Sequence, residues 1–294
     1  MILVTGASGQ FGKNAVDHLL KKGINSAEIA ILVRDSDKAK ALENTGVEVR
    51  VGDYTDYNSL LHAFRGISKL LLVSSNDRQA IENRTAQHIN AIKAAKDAGV
   101  GHIFYTSFVR KPGFENSAIA AFQNSHVESE EFLKKSGVTY TILQNGIYLE
   151  MVPVLAGEKV ADSGVILFPA GEGKASFVLR EELAEVAASI IASEGHENKT
   201  YNLTNTTSVS FADVAEAISA TIGKKVIFQS PVIPEFESTL KQFGVPEMYI
   251  GMFTMWATAT AQNTMDVEDD TLQNLLGRNP TTLQQFVNSV YAVK

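Results

Sequence analysis

Short apolar runs and amphipathic stretches take turns along the first half of the chain. The runs fall at 2 to 5 (ILVT), 28 to 33 (EIAILV), 47 to 51 (VEVRV), 69 to 74 (KLLLVS), 102 to 107 (HIFYTS) and 139 to 143 (TYTIL). Between them lie segments such as KNAVDHLLKKG and RTAQHINAIKAAKDAG, whose apolar residues recur at helical spacing and which close on glycine, the usual helix C-cap. Strand and helix in strict alternation predict an α/β protein with a doubly wound parallel sheet. After about residue 146 the rhythm loosens. A helix is expected in REELAEVAASIIAS, a strand in TYNLT, a helix from Ser210 as N-cap through Ile222, a strand in KVIFQ, and helical pieces to the end. The division predicted is therefore 1–150 for the sheet domain and 151–294 for a smaller α/β lobe, with room for some of its segments to return to the first sheet.

The first run breaks at Gly6 and re-enters a helix around Gln10. Gly6, Gly9 and Gly12 in ILVTGASGQFG form G-x-x-G-x-x-G, which permits a tight turn, approach of backbone N–H groups to a pyrophosphate, and close helix packing. Because the motif follows a first strand and opens a βαβ unit, Gly6, Ala7, Ser8, Gly9, Gln10, Phe11 and Gly12 are candidate dinucleotide-binding residues, and the domain is expected to be a Rossmann domain. The second strand ends in ILVRDSDKAK. An acidic residue there suits a ribose diol and arginine suits a 2′-phosphate, so Arg34 favours NADP(H) over NAD(H). Asp35 keeps NAD(H) open, and Arg34 can equally be an exposed residue with Lys38 and Lys40 on a solvated helix.

The helical stretch IAAFQNSHVESEEFLKKSG carries an anomaly. Phe122, His126, Ser129 and Leu133 follow at steps of four, three and four, so polar side chains share the inward face, and Glu130 lies one turn beyond His126. Such a pair either handles a proton or holds the fold together.

Composition narrows the chemistry. The 294 residues, 45% hydrophobic and 20% charged, are those of a globular protein. The absence of cysteine removes thiolate chemistry and disulfides and leaves a reducing cytoplasm as the expected compartment. The N-terminus enters a strand with no leader or spanning segment in view. With 26 basic and 33 acidic residues, the net charge of −7 disfavours nucleic-acid partners. The six histidines form no metal-binding i, i+4 pair, and no G-x-S-x-G elbow occurs. Trp256, in MYIGMFTMWATATA, belongs to a core or to the wall of an apolar pocket.

Taken together, TGASGQFG, Arg34, GDYTD at 52 to 56, LLLVSSN at 70 to 76, HIFYTS, LQNGIY at 143 to 148, GHENKTYNLT at 195 to 204 and LLGRNPTTL at 275 to 283 resemble the NmrA-like family of atypical short-chain dehydrogenases. Within it, the likeness is to the NAD(P)H:quinone reductases and triphenylmethane reductases of bacteria. The resemblance implies an NADP(H) site across the strand ends. Asp53 and Tyr54 would lie near the adenine, Ser74, Ser75 and Asn76 near the ribose and pyrophosphate, with Thr106 on the neighbouring strand. Asn145, Gly146, Ile147 and Tyr148 would line the nicotinamide pocket. Asp53 is otherwise a turn residue and Tyr148 a core residue.

Short-chain dehydrogenases and nucleotide-sugar epimerases usually carry Tyr-x-x-x-Lys on the helix after the fifth strand. No tyrosine here has a lysine four residues on, and the slot holds His126 and Glu130. Alcohol and sugar chemistry, which needs that relay, is disfavoured. A quinone can take its proton from water or from histidine, so His126, Glu130 and Tyr148 are the candidate catalytic residues. The expected activity is reduction of quinones or similar conjugated aromatics by hydride transfer. An NADP-binding redox sensor without turnover and an epimerase-like enzyme are the alternatives. The expected partner is a small aromatic substrate, with no membrane and a monomeric or homodimeric state.

Overall fold

Six strands of the first half and one of the second build a seven-stranded parallel sheet in the computed structural model, which describes residues 1–35, 37, 45–75 and 81–292. The strands are β1 (Ile2–Val4), β2 (Ile29–Val33), β3 (Glu48–Val51), β4 (Lys69–Leu72), β5 (His102–Phe108) and β6 (Thr139–Asn145). Lys199–Leu203 adds the seventh, and the spatial order is β3, β2, β1, β4, β5, β6 and then 199–203. This is the doubly wound order in which the chain reverses direction between β1 and β4. The central strands β1, β2 and β4 are dominated by apolar residues because both of their faces are covered, whereas β5 and β6 carry buried polar residues toward their carboxyl ends. Leu3, Ala30, Leu32, Leu70, Leu72, Ile103, Tyr105 and Ile142, alternate residues of their strands, join one core with residues of the helices α2 (Tyr57–Ala63), α3 (Ile81–Asp97) and α4 (Ala120–Lys135). Helix α1 (Gln10–Lys21) buries Phe11, Ala15, Val16 and Leu19 and packs against the helix Arg180–Ala192.

The chain separates into two compact units. The first comprises Met1–Phe108, Phe122–Asn145 and Arg180–Leu203, and the second Val109–Ala121, Gly146–Leu179 and Thr204–Lys294. Arg180–Leu203 thus returns to the sheet unit, the kind of return that the division at 150 left room for. The helix expected after Ser210 runs Phe211–Ile222, and Ser210 caps it reciprocally with Asp213. Within the second unit Ile227–Gln229 pairs with Val165–Leu167, and Phe168, Phe211 and Phe236 form an aromatic core. Trp256 is half-buried on the helix Glu247–Ala261. Among the described residues no helix is long and apolar enough to cross a membrane.

The seating of α1 depends on backbone approaching backbone. Gly6 turns the chain with φ of +61°, a conformation that costs other residues steric strain. Gly12 has ordinary helical geometry, but a Cβ on it would stand 2.5 Å from Gly6 O and 2.8 Å from Ala7 N. No flexible side chain is there to yield. Gly12→Ala is accordingly expected to destabilise the protein by about 1 to 3 kcal/mol through overpacking, read as a lower urea midpoint at unchanged slope. A variant as stable as the wild type would show that α1 can lift from the turn without loss.

Candidate functional site

The residues singled out at the start of the chain turn from β1 into α1 in a geometry that can receive an anion. Gly9 is the N-cap of α1, with extended geometry and no side-chain cap, and the first turn of the helix holds no acidic residue. The leading N–H groups are therefore presented with the positive end of the helix dipole behind them. Ser8, Gly9 and Gln10 are exposed, whereas the side chains of Ala7 and Phe11 are buried and offer only backbone to a ligand. A Cβ at Gly9 would lie 3.3 Å from Gly6 O, a tight contact that leaves the fold possible.

The carboxyl ends of the neighbouring strands continue the surface. Arg34 is exposed just past β2, and Asp35 accepts a hydrogen bond from Asp37 N at 3.0 Å, which commits part of its carboxylate to a local turn. Lys38 and Lys40 lie outside the described residues. Burial alone would raise the Asp53 carboxyl, but hydrogen bonds from Thr55 N and Thr55 Oγ1, with the Arg34 charge nearby, hold it below its ordinary value. Asp53 is a turn residue that remains charged. The Tyr54 hydroxyl donates to Val73 O at 2.7 Å and lies 2.5 Å from Thr5 Oγ1, tying the ends of β1 and β4 together.

Past β4 the backbone is held by side chains rather than by a strand ladder. Val73 N donates to Thr5 Oγ1, Ser74 N to Thr106 Oγ1 (both 2.8 Å) and Ser75 N to His88 Nε2 at 2.9 Å. Thr106, expected at the cofactor, acts here through Ser74. Asn76 lies outside the described residues.

The inward polar face of α4 meets a polar patch on the sheet. Tyr105 and Ser107 alternate onto one face of β5, and Gln144 stands opposite Ser107 on β6. Glu130, 1% exposed, accepts from Ser107 Oγ at 2.5 Å and Gln144 Nε2 at 3.0 Å, with Lys134 Nζ at 3.8 Å. His126, 2% exposed, accepts from the Arg84 guanidinium at its Nε2 (2.9 Å) and has Tyr105 Oη 2.9 Å from its Nδ1. His126 and Glu130, two of the three candidate catalytic residues, share one helix face, as the spacing predicts, and these bonds lead to different partners. Ser107, Gln144, Tyr105, Arg84 and His88 were missed from sequence. The alternation of HIFYTS, which puts Tyr105 and Ser107 on one face, was the available signal.

Asn145, at the end of β6, is 2% exposed, and among the described residues neither its Oδ1 nor its Nδ2 has a hydrogen-bond partner. A buried amide with neither group paired costs stability unless a ligand completes it. A group offering one donor and one acceptor, as a carboxamide does, would satisfy both atoms. Gly146, Ile147 and Tyr148 belong to the second unit, where Ile147 and Tyr148 pair with Phe177 and Val178. Among the described residues, no group of His, Cys, Asp or Glu is arranged to hold a metal ion.

Comparison with known proteins agrees with this geometry. The NmrA-like family model matches residues 1–287. The chain is 33% identical to quinone oxidoreductase 2 of Escherichia coli (strain K12), over 100% of this chain and 99% of that protein. It is 29% identical to the NAD(P)H azoreductase of Xenophilus azovorans, over 98% and 97% of the two chains. Among solved structures, Citrobacter sp. triphenylmethane reductase complexed with NADP(H) superposes with a TM-score of 0.90 at 37% identity, covering 98% of this chain and 99% of the other. With its glycine motif on the first βα turn and a likeness that runs from end to end, the chain belongs to the NmrA-like family.

Proposed function

We propose that the chain is an NAD(P)H-dependent oxidoreductase that reduces quinones or related conjugated aromatic acceptors by direct hydride transfer, with NADP(H) the preferred cofactor. Whole-length similarity to a quinone oxidoreductase and an azoreductase supports the reading. The observation that carries it is the buried, unpaired amide of Asn145 at the carboxyl edge of a sheet whose first helix presents a bare N-terminus. On this reading the α1 amides around Ser8 to Gly12 bind the pyrophosphate. Arg34 binds the 2′-phosphate, Asp53 and Tyr54 face the adenine, and Ser74 to Asn76 with Thr106 border the ribose. Asn145 to Ile147 line the nicotinamide, and Asn145 orients its carboxamide. When bound, the reduced nicotinamide supplies the hydride.

The protein's remaining task is to position and to exclude competing reactions. A guanidinium can only donate, so the Arg84 bond occupies the Nε2 lone pair of His126, while its Nδ1 faces Tyr105. This favours the holding role for His126 and Glu130 over proton delivery. The proton then comes from water, which a quinone oxygen gaining charge can use. Tyr148 is the candidate contact to the acceptor, a small aromatic molecule met in the cytoplasm.

The direct test is anaerobic NADPH consumption against a panel of quinones and cationic or azo dyes, with cofactor binding measured alongside. Turnover with at least one class is expected. Tight NADPH binding without turnover on any member would replace the enzyme with a sensor. Gly9→Val is expected to abolish NADPH binding while leaving a folded protein, because its side chain fills the space a pyrophosphate needs; unchanged affinity would misplace the pyrophosphate site. Arg34→Ala should cost about 1.5 to 3 kcal/mol of NADPH affinity and spare NADH, as expected for hydrogen bonds to a charged group. Equal losses for the two cofactors would remove Arg34 from the 2′-phosphate. His126→Leu strips the buried Arg84 of one acceptor and is expected to lower stability by about 1 to 3 kcal/mol or more, with turnover per folded molecule unchanged. A loss of turnover at unchanged stability would restore His126 to a catalytic role.

A further inference from the structure

The polar layer beneath β5 has a directed hydrogen-bond order. Ser75 N can only donate, so Nε2 of the buried His88, 2.9 Å away, carries the lone pair and the neutral ring bears its proton on Nδ1. Ser129 Oγ, 2.9 Å from that Nδ1, donates its own hydrogen to Ser125 O at 2.6 Å and therefore accepts from His88. Arg84 fixes His126 in the same tautomer, so His126 Nδ1–H donates to the Tyr105 oxygen, which also lies 3.1 Å from His88 Nδ1. Both imidazole hydrogens have acceptors in this order, and neither imidazole needs a second proton. Burial, with the Arg84 charge, pulls His88 down to about 3, which keeps its ring neutral at physiological pH.

The end of this network is a cofactor-facing segment. Val73, Ser74 and Ser75 have their amides held in turn by Thr5 just past β1, Thr106 on β5 and His88 on α3. These N–H groups are directed into the protein, leaving the N-terminus of α1 as the source of donors for an anion. Of the three anchors, the threonines hold residues next to the strand, while His88 holds the position farthest along the exit from β4.

We propose that His88 is a positioning residue of the cofactor site: its unprotonated Nε2 holds the Ser75 amide and so sets the path of the chain where β4 opens toward the dinucleotide. This rests on the cofactor placement given above. Two substitutions separate the role from simple packing. In His88→Gln the amide oxygen reaches the place of Nε2 and keeps an acceptor for Ser75. In His88→Asn the shorter amide matches Nδ1, keeping Ser129 and losing Ser75.

Full-length wild type and both variants are titrated with NADPH, melted, and the wild type is labelled for the ¹⁵N spectrum of its histidines. Loss of one backbone hydrogen bond at the site is expected to weaken NADPH about three- to tenfold in His88→Asn, with His88→Gln within about twofold of wild type. Melting temperatures should fall in both variants, since each leaves the ring's space incompletely filled. The His88 spectrum should show protonated Nδ1 and bare Nε2. Equal NADPH affinity in the three proteins overturns the inference and leaves the cofactor reading intact. Wild type that fails to bind NADPH overturns the cofactor reading itself. Should His88→Asn not fold, the tautomer decides: protonated Nε2 cannot accept from Ser75 and rules the inference out, whereas bare Nε2 together with wild-type-like affinity in His88→Gln upholds it.

Discussion

The register of the site depends on a carboxylate taken out of water. Glu130 is almost fully buried, and an ionised carboxylate there is tolerable only with its oxygens satisfied. Its donors come from two adjacent strands, Ser107 on β5 and Gln144 on β6, which stand opposite each other in the parallel register. A one-residue slip of either strand would turn its donor to the other face of the sheet. Once α4 is fixed against the strands at Glu130, His126 one turn earlier falls beside Tyr105, two residues before Ser107. Arg84 and His88 on α3 complete the layer, and through His88 it reaches Ser75. A polar helix face that looks costly in isolation is thus the complement of a polar strand edge, and the two together define where β4, β5 and β6 end.

The parts of this protein legible from sequence are those encoded locally. The apolar runs marked β1, β2 and β4 because strands covered on both faces favour continuous apolar residues, β3, β5 and β6 were marked by their β-branched and aromatic residues, and Ser210 marked its helix because capping is a matter of three neighbouring residues. The glycine spacing located the turn on which α1 is seated. Which glycine does what was not legible: Gly6 supplies a positive φ, Gly12 the absence of a Cβ, and Gly9 an open approach, distinctions that exist only once α1 is folded onto the turn. The inward face of α4 was legible and its partners were not, since Arg84 is 42 residues from His126 in sequence and no periodicity encodes that meeting. Arg180–Leu203 carries the same helix and strand signals whichever unit it joins, so its return to the sheet was left open as one possibility.

The proposed chemistry follows from how donors are distributed. On the proposed reading the N–H groups that meet an anion are those of α1, while the amides of Val73 to Ser75 are turned inward by side chains. The helix slot that carries a tyrosine and lysine relay in alcohol dehydrogenases holds instead a buried, hydrogen-bonded layer in which His126 is tied to Arg84 and Tyr105 and Glu130 to Ser107 and Gln144. Such a layer fixes geometry and is poorly suited to releasing a proton. An acceptor that stabilises its own charge after hydride arrival, as a quinone or a cationic dye does, suits a site built for orientation.

The central claim is that a hydride passes directly from NADPH to the acceptor. It is tested most directly by anaerobic single turnovers with NADPH deuterated at either face of C4. One face alone should give a primary isotope effect, and NADPH oxidation and acceptor reduction should slow together. Acceptor reduction insensitive to deuterium at both faces while NADPH is consumed, or no oxidation of bound NADPH by any acceptor, would contradict it.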